Sequence, residues 1–579
     1  MLKVSSFTWF LFSLDKLRFL LILFALKLLC FGIEVYHFGV KVCYMKRMLG
    51  VLAFVFCFFF VGFSYEWYRD VSFYQIFPRS FFDSNGDGIG DLQGIIKKLD
   101  YVASLGVGGI WLNPTFPSPS YHGYDVIDYY SVNPQFGTLE DMKKLISEAE
   151  RRGIRILLDL VINHTSSQIE WFKRSEARDP FFDSWYVWTN VLPKVEGKYG
   201  WARPWTKGNS PWEVWNYSSV RKEYYYAAFW GGMPDLNFRN PEVTKEIYKI
   251  ARYWLEMGVG GFRLDAVRYL VETGPGDGQA DTEETKMWLR NFKDFCKKVK
   301  PDSFLVGEVW VANRIILTYG DSLDGYFDFE QRDVFASTVG YGPKVGRFYQ
   351  YIKDMKNITK SIGTWKKLYP FTSNHDVTRV HSILERRPDS MERMKLFVTL
   401  MFTFPGNPFI YQGDEIGMVN SPYLRGDMAY RDPMVWSDAK NVSFTTGAPW
   451  TYVNPHPVIN VMEQERSKNS LLNHYRKMSK IRKSEEVLRW GDIIIVSNSI
   501  MDRVVSFART NTNDFITVVV YPYPKPTNFT LYFGDEVSEN IGGGRFLDLL
   551  TSNTISITSN SIDFNFDGYT NLVLKLIKN

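Results

Sequence analysis

The chain has 579 residues, with Lys+Arg 68, Asp+Glu 63 and 45% hydrophobic residues. This length suits several domains, or one large barrel with accessory parts, and the composition excludes a disordered chain, a collagen and a coiled coil. Residues 1–64 hold seven of the basic and two of the acidic residues, which leaves 61 of each from Tyr65 onward. Because nucleic-acid binding needs a basic surface, the neutral body argues against a nucleic-acid partner.

The first 64 residues have the character of a leader. Met45-Lys46-Arg47 is a basic start, Leu49–Phe63 is an apolar core, and Gly62-Phe63-Ser64 has small residues where a signal peptidase cuts. We expect translation to begin at Met45 or Met48, the first 44 residues to be an upstream artefact, and the protein to be exported, extracellular or periplasmic. The alternative is a membrane anchor through an uncleaved leader, although the 16 apolar residues of Met48–Phe63 are short for a span of about 20.

Short apolar runs bounded by turn residues recur through the body. They are Val71–Phe77, Gly109–Asn113, Ile154–Val161, Gly261–Leu264, Phe304–Val309, Gly325–Phe329, Leu368–Ser373 and Pro408–Gln412. Helical patterns precede five of them, at Gly94–Leu105, Leu139–Arg152, Pro241–Met257, Glu283–Val299 and Met391–Thr403. Strand and helix in alternation predict an α/β fold, a (β/α)8 TIM barrel. An open doubly wound sheet is disfavoured because no Gly-x-Gly-x-x-Gly turn follows the first run.

Two departures from a plain barrel indicate further parts. About a hundred residues separate the third and fourth runs, which is too long for a simple loop and predicts an inserted subdomain. After about Ser484 the helical pattern gives way to short alternating runs, which predict a C-terminal antiparallel β-sandwich. The predicted parts are the barrel at 65–163 and 238–484, the inserted subdomain at 164–237 and the sandwich at 485–579. Outside the leader the only cysteine is Cys296, which we expect to be a packed side chain.

Carboxylates follow four of the predicted strands. They are Asp159, Asp265, Glu308 and Asp376. One carboxylate at a strand end would more often be a loop or helix cap. In a barrel, however, the carboxyl ends of all strands lie on one face, so these carboxylates would come close together. Crowded like charges destabilise a fold, and their presence therefore indicates a function. The sequence therefore predicts an active site there.

These segments resemble the signature regions of a known enzyme family. Asp159–His164, Gly261–Arg268, Gly307–Trp310 and Ser373–Asp376 are similar in type, order and spacing to those of the α-amylase family of retaining glycoside hydrolases, glycoside hydrolase family 13. The likeness extends over nearly all of 65–579. It implies that Asp265 is the nucleophile, Glu308 the general acid/base and Asp376 the stabiliser of the transition state.

The chemistry of the residues agrees with these roles. Retaining hydrolysis needs one ionised carboxylate to attack the anomeric carbon and a second, protonated one to protonate the leaving oxygen. Asp265 and Asp376 would raise the pKa of Glu308 by their negative charge. Arg263 lies two residues before Asp265 on the same face of its strand and can hold the nucleophile ionised.

The resemblance also implies sugar-binding residues. Tyr124 would stack on the ring beside the nucleophile, and His122, His164 and His375 would hydrogen-bond its hydroxyls. Asp125 and Arg379 resemble the pair that closes the non-reducing end of the cleft in exo-acting members, which would favour short substrates.

The run Asp83-Ser-Asn85-Gly-Asp87-Gly88-Ile-Gly-Asp91 has oxygen side chains at alternate positions and glycines for a tight turn, as calcium loops do. It lacks the Glu that an EF-hand has at position twelve, where Gly94 stands. Oligoglucosidase-like members of the family carry such a loop as a structural Ca²⁺ site. We expect the side chains of Asp83, Asn85, Asp87 and Asp91 and the carbonyl of Ile89 as ligands; the alternative is a turn without metal. A second calcium site at Asn163 stays open.

Two short features bear on the bond that is cleaved. Met233-Pro-Asp235-Leu-Asn237 resembles the group intermediate between oligo-1,6-glucosidases and neopullulanases, and Ala266, a small residue after the nucleophile, goes with α-1,4 bonds in the family. We therefore predict a monomeric α-amylase acting on α-glucans or maltooligosaccharides. The alternatives are an α-glucosidase or oligo-1,6-glucosidase, a trehalose-forming transglycosylase, and an inactive, membrane-anchored transporter subunit.

Overall fold

The computed structural model describes residues 66–193, 200–206, 208–362, 365–385, 389–534, 544–557 and 560–577. The chain divides into two units, Met1–Glu66 and Trp67–Asn579, and the description below concerns the second unit. The predicted start sites, signal peptide and cleavage position lie outside the described residues. Within the described ranges, no helix is both long and apolar enough to cross a bilayer.

Eight parallel strands form the barrel. They are β1 (Phe73–Ile76), β2 (Gly109–Leu112), β3 (Arg155–Leu160), β4 (Gly261–Leu264), β5 (Phe304–Gly307), β6 (Gly325–Phe327), β7 (Leu368–Tyr369) and β8 (Phe409–Tyr411). Consecutive strands pair from β1 to β7, and β8 pairs with β1. A parallel bridge between Phe371 and Phe409 links the two ends of the sheet and nearly closes the barrel. The predicted barrel is confirmed.

The barrel interior has an apolar layer below a polar layer. Phe73 on β1 stacks on Phe304 and Phe409, with ring centroids 5.2 and 4.4 Å apart. Because side chains alternate along a strand, Gln75 points the same way as Phe73 two residues further on, and its amide donates to the side chain of Asn113 over 2.8 Å. The strand ends therefore present polar groups above a floor of packed rings.

Helices surround the strands. The principal ones are Leu92–Ser104, Leu139–Glu150, Pro241–Met257, Glu283–Val299, Phe329–Val339, Val345–Ile362, Ser390–Thr403 and Leu471–Ser484. Shorter ones are Glu170–Glu176, Asn313–Ile316, Val380–Leu384, Val461–Arg466 and Glu486–Trp490. The five predicted helices are present with ends shifted by at most two residues. Phe329–Val339 was not predicted, because a helix buried on nearly all sides has no amphipathic pattern.

The insert after β3 carries its own small antiparallel sheet, formed by Trp188–Thr189, Trp215–Ser218 and Glu223–Tyr226. Bridges from His164 to Asp235 and from Tyr186 to Leu236 join the two ends of the insert. These bridges hold the insert beside the end of β3, next to Asn163 and His164.

Two antiparallel sheets follow the barrel. One contains Asp492–Ile495, Val505–Thr510, Phe515–Tyr521, Thr570–Ile577, Arg545–Asp548 and Thr554–Ser556; the other contains Ser497–Asn498, Thr527–Tyr532 and Ser561–Phe566. Val519 and Leu574 of the first sheet share one buried cluster with Phe529 and Leu531 of the second. The predicted C-terminal sandwich is therefore confirmed. Cys296 is buried with a free thiol, as predicted.

Candidate active site

The polar layer centres on the guanidinium of Arg263, which lies on β4. Its Nη1 is 2.7 Å from Asp265 Oδ1 and 2.8 Å from Asp159 Oδ1, and its Nη2 is 2.9 Å from Glu308 Oε2. Arg263 and Asp159 are almost fully excluded from solvent. The two Nη atoms of one planar guanidinium are only about 2.3 Å apart, so these contacts keep the Asp265 and Glu308 oxygens within roughly 8 Å of each other. The two predicted catalytic carboxylates therefore share one site.

The backbone after β4 brings the same two groups together. Ala266 adopts left-handed dihedrals, φ 48° and ψ 33°, which turn the chain sharply after Asp265. Its amide donates to Glu308 Oε2 over 3.2 Å. This turn supplies a neutral donor to Glu308, whereas Asp265 has the shorter contact with the charged guanidinium.

The surroundings set the protonation of this pair. Burial raises the pKa of Glu308 to about 7, and the charges of Asp265 and Asp376 add to the rise against the opposing charge of Arg263. Burial also raises the pKa of Asp265 to about 7, and the charge and hydrogen bond of Arg263 oppose that rise. The pair therefore tends to keep one proton near neutral pH. Arg263 donates a hydrogen bond to Asp265, whereas Glu308 accepts its hydrogen bond from the neutral Ala266 amide, and this difference favours Asp265 as the ionised member and Glu308 as the protonated one.

Asp376 follows β7 and has two polar neighbours. Its Oδ1 is 2.7 Å from Nη2 of Arg431, and its Oδ2 is 3.0 Å from Nε2 of His375. Burial acts to raise the pKa of Asp376, but the contacts with His375 and Arg431 outweigh it and hold that pKa below its usual range. Burial lowers the pKa of His375 to about 4, so the imidazole is neutral near pH 7. Arg431, together with the charge of Arg263, therefore keeps Asp376 ionised.

Comparison with known proteins agrees with this geometry. The family model described as alpha amylase, catalytic domain, matches residues 75–491. The chain belongs to this α-amylase family of glycoside hydrolases. It is 35% identical over 483 residues to Alpha-amylase 3 of Dictyoglomus thermophilum, which covers 83% of this chain and 89% of the relative. It is 32% identical over 502 residues to an oligo-1,6-glucosidase of Bacillus cereus, which covers 75% of this chain and 87% of the relative.

Solved structures place the chain in the same family. The α-amylase from H. orenii superposes with a TM-score of 0.74 at 34% identity, covering 88% of this chain and all of that one. The trehalose-6-phosphate hydrolase of Bacillus licheniformis superposes with a TM-score of 0.75 at 26% identity and the same coverage. These α-amylase-family relatives differ in the sugars that their names describe, so membership alone leaves the substrate open.

The predicted sugar-contacting residues cluster beside the carboxylates. The Tyr124 hydroxyl donates to Asp159 Oδ2 over 2.9 Å and contacts His375 Nε2. The Tyr124 ring stacks on the rings of His375 and His122, with centroids 5.4 and 6.0 Å apart. Burial lowers the pKa of His164 to about 3, and its Nε2 has no hydrogen-bond partner in the part of the chain that the structure describes. That ring nitrogen is buried, and the contact of His164 with a sugar hydroxyl stays a prediction.

The predicted pairing of Asp125 with Arg379 is wrong. Asp125 accepts from the hydroxyls of Ser118 and Ser120 over 2.5 and 2.6 Å. Arg379 is fully buried and pairs with Asp414 at 2.9 Å. Serines of its own loop satisfy Asp125, and a buried guanidinium needs a close carboxylate, which Asp414 supplies just after β8. The two residues therefore do not form the ion pair that the resemblance implied.

Four polar or aromatic side chains of the site were not predicted. Arg431 contacts Asp376 and also donates to the Tyr121 hydroxyl over 3.0 Å. The other three are Gln75, which hydrogen-bonds His375, Asn113, which donates to Tyr124, and Trp111, which donates to Asp159. Gln75 and Asn113 had a usable signal, because a polar residue in or just after a buried strand needs a partner. Arg431 had none, because it is distant in the sequence from Asp376 and lies in an irregular segment.

The predicted calcium loop is formed as a tight turn whose side-chain oxygens already accept hydrogen bonds. Asp83 accepts from three backbone amides and from the Thr445 hydroxyl. Asp91 accepts from the backbone amides of Ser84 and Gly94. Within the described ranges, no group of three or more His, Cys, Asp or Glu side chains is arranged to hold a metal. The donor types suit Ca²⁺, and the calcium site stays a prediction.

Proposed function

We propose that the protein hydrolyses α-1,4-glucosidic bonds in starch-type glucans and maltooligosaccharides with retention of configuration. One observation carries the proposal: a single buried guanidinium, Arg263, contacts both Asp265 and Glu308. An ionised and a protonated carboxylate in one pocket are what cleavage through a covalent glycosyl-enzyme requires.

The proposed reaction has two steps. Asp265 attacks the anomeric carbon while Glu308 gives its proton to the departing glycosidic oxygen, so a sugar ester forms and the leaving-side sugar departs with a new hydroxyl. Glu308, now ionised, then takes a proton from a water molecule, which attacks the ester and releases Asp265. Asp376, held ionised by Arg431, stabilises the positive charge that develops on the sugar in both steps.

Two observations support α-1,4 bonds. The amylases of Dictyoglomus thermophilum and H. orenii are 35% and 34% identical to this chain, somewhat above the 32% of the Bacillus cereus oligo-1,6-glucosidase. Ala266, which follows the nucleophile, is a small residue, and its amide donates to Glu308 Oε2.

The second candidate is an α-glucosidase or oligo-1,6-glucosidase. It is favoured by relatives with those names, among them the enzymes of Bacillus cereus and Parageobacillus thermoglucosidasius, at 32% and 31% identity. A methyl or two in a sugar pocket discriminates between linkages by only about 1–3 kcal/mol, so measured products decide between the candidates.

The test follows products from starch, pullulan, isomaltose and trehalose over time, beside the Glu308→Gln variant as a control for contaminating activity. Mixed maltooligosaccharides from starch would support the α-amylase. Glucose alone from isomaltose would favour the glucosidase. Sugar transfer products in place of free glucose would favour a transglycosylase, and no turnover of any of these sugars would contradict the proposed reaction.

We further propose that Asp83–Asp91 binds a structural Ca²⁺ and that the segment ending at Ser64 directs export. The first rests on the oxygen donors of the loop, and the second on the basic and apolar pattern of residues 45–64. Mass spectrometry of the N-terminus of the protein expressed in a secreting host tests export. A mature start near Tyr65 would support it, and a protein that keeps Met45 inside the cell would contradict it.

A further inference from the structure

The tryptophan at position 450 connects the Asp83–Asp91 loop to the arginine that holds Asp376. It is partly buried and has no role in the proposed reaction. We infer that Trp450 is a positioning residue, which fixes Arg431 against Asp376 and is itself held by the loop. The inference rests on the proposed function and gives the loop a part in catalysis as well as in the fold.

The indole of Trp450 supports Arg431 in two ways. Its Nε1 donates to the Ser80 hydroxyl over 3.1 Å, and that hydroxyl donates to the backbone carbonyl of Arg431. Its ring stacks on that of Tyr121, with centroids 5.7 Å apart and planes 27° from parallel. The Tyr121 hydroxyl accepts from Arg431 Nη1 over 3.0 Å. The backbone and the guanidinium of Arg431 therefore both depend on one side chain.

Arg79 fixes Trp450 and Tyr121 relative to each other. Its guanidinium lies over the Trp450 ring, 5.5 Å from the centroid, and its Nε donates to the Tyr121 carbonyl over 3.1 Å. A cation over an indole is an attractive contact, and here it joins the two aromatic residues. Ser80 is fully buried, and its carbonyl accepts from the amide of Met434. The contacts between Trp450 and Arg431 are therefore built from side chains that are themselves held in place.

The Asp83–Asp91 loop holds the backbone of Trp450. The carbonyl of Gly88 accepts from the Trp450 amide over 2.9 Å. Gly88 has φ +92°, and a Cβ at this position would overlap the carbonyl oxygen of Ala448, two residues before Trp450. The loop and the segment before Trp450 are therefore in direct backbone contact, which only glycine allows. A displacement of this segment would move Trp450 and, with it, the supports of Arg431.

Two substitutions in the purified full-length protein test the two ends of this connection. Trp450→Phe keeps a ring but removes the bond to Ser80, and Gly88→Ala forces the loop and Ala448 apart. The substrate is α-glucosyl fluoride, which occupies only the glucose position beside the nucleophile. We expect kcat/KM to fall about fivefold for Trp450→Phe, the size of one neutral hydrogen bond. For Gly88→Ala we expect about tenfold or more, because displacements of about 1 Å can cost up to about 10²-fold.

A double-mutant cycle separates positioning from a general loss of stability. If Trp450 and Gly88 act through Arg431, each loss should shrink to less than about twofold in an Arg431→Met background. Calorimetric binding of 1-deoxynojirimycin and of glucose is the second readout. The ammonium of this glucose analogue resembles the positive charge that Asp376 stabilises. Both variants should therefore weaken binding of the cation more than binding of neutral glucose, whereas a purely structural defect would weaken both equally.

Two matched controls lie away from the site. Trp490 has an arginine over its ring and donates its indole N–H to Asp70 over 2.8 Å, before β1 at the opposite end of the barrel. Gly153 has φ +72°, and a Cβ there would meet no atom within 4 Å in the described part of the chain. Trp490→Phe and Gly153→Ala should leave kcat/KM and both affinities within about twofold of the wild type.

Losses of the same size in the wild-type and Arg431→Met backgrounds would overturn the inference, as would unchanged rates in both variants. A loss on maltohexaose without a loss on the fluoride would also overturn it, because Trp450 would then contact a more distant sugar unit. Should Gly88→Ala fail to fold, Trp450→Phe decides alone. If the wild type did not hydrolyse the fluoride, the proposed function would fail instead. The two affinities, which need no turnover, would then decide the inference by the same comparison.

Discussion

Replacing Arg431 tests whether Asp376 depends on a partner that is distant in the chain. Arg431 donates to Asp376 Oδ1 over 2.7 Å, to the carbonyl of His375 over 2.7 Å and to Asp427 over 3.1 Å. Arg431→Met keeps much of the side-chain volume and removes the charge. We expect kcat/KM to fall because Asp376 loses both its orientation and the charge that keeps it ionised.

The size of the effect follows from the contact. Two unit charges with centres about 4 Å apart interact by about 4 kcal/mol at an effective dielectric constant of about 20, which sets an upper limit near a 10³-fold loss. Asp376 is partly solvated, with 28% of its side chain exposed, and it keeps its contact with His375. Half of the limit, about 2 kcal/mol, is therefore a reasonable expectation and corresponds to roughly a 30-fold loss.

A double-mutant cycle separates this role from a structural one. Arg431→Met is measured on α-glucosyl fluoride in the wild-type background and in an Asp376→Asn background. If Arg431 acts through Asp376, the second loss should be less than about fivefold. Arg393→Met is the control, since Arg393 is also buried but contacts Asp389 and Tyr569 instead, and it should leave kcat/KM within about twofold. Equal losses for Arg431→Met in both backgrounds would refute the reasoning.

Three further results are expected. Asp265→Asn should lower hydrolysis by roughly 10⁴-fold or more while leaving the fold intact; near-normal turnover would contradict its assignment as nucleophile. The kcat/KM of the wild type should decline as pH rises through about 7, because Glu308, whose pKa is raised to about 7, loses the proton that it donates; a rate that stays level to pH 9 would contradict this. A chelator should lower the melting temperature, and Asp87→Ala should remove that response; the same chelator effect in wild type and variant would place any metal elsewhere than the Asp83–Asp91 loop.

The barrel was predictable because its signals are local. Parallel strands buried on both faces read as continuous apolar runs, and helices with one buried face read as amphipathic patterns. Pro241–Met257 and Glu283–Val299 were predicted to the residue for this reason, and the structure shows that Asn240 and Thr282 cap them. Phe329–Val339 was missed because it is buried on most sides.

The catalytic set was predictable for a related reason. Asp159, Asp265, Glu308 and Asp376 each follow a strand, and barrel geometry requires all strand ends to meet on one face. The resemblance to the family then implied the catalytic roles of the last three. Arg263 could also be assigned, since a two-residue spacing on a strand places it on the same face as Asp265.

The sequence alone identified the carboxylates that could react, because each follows an apolar run that predicts a strand. Such a run is a pattern of neighbouring residues and can be recognised without the fold. The partner of each charged group was settled by folding. Arg379 pairs with Asp414 instead of Asp125, and Arg431 reaches Asp376 from an irregular segment. An ion pair forms between buried charges that the folded barrel brings close together. When the two residues are far apart in the chain, no local sequence pattern predicts that contact.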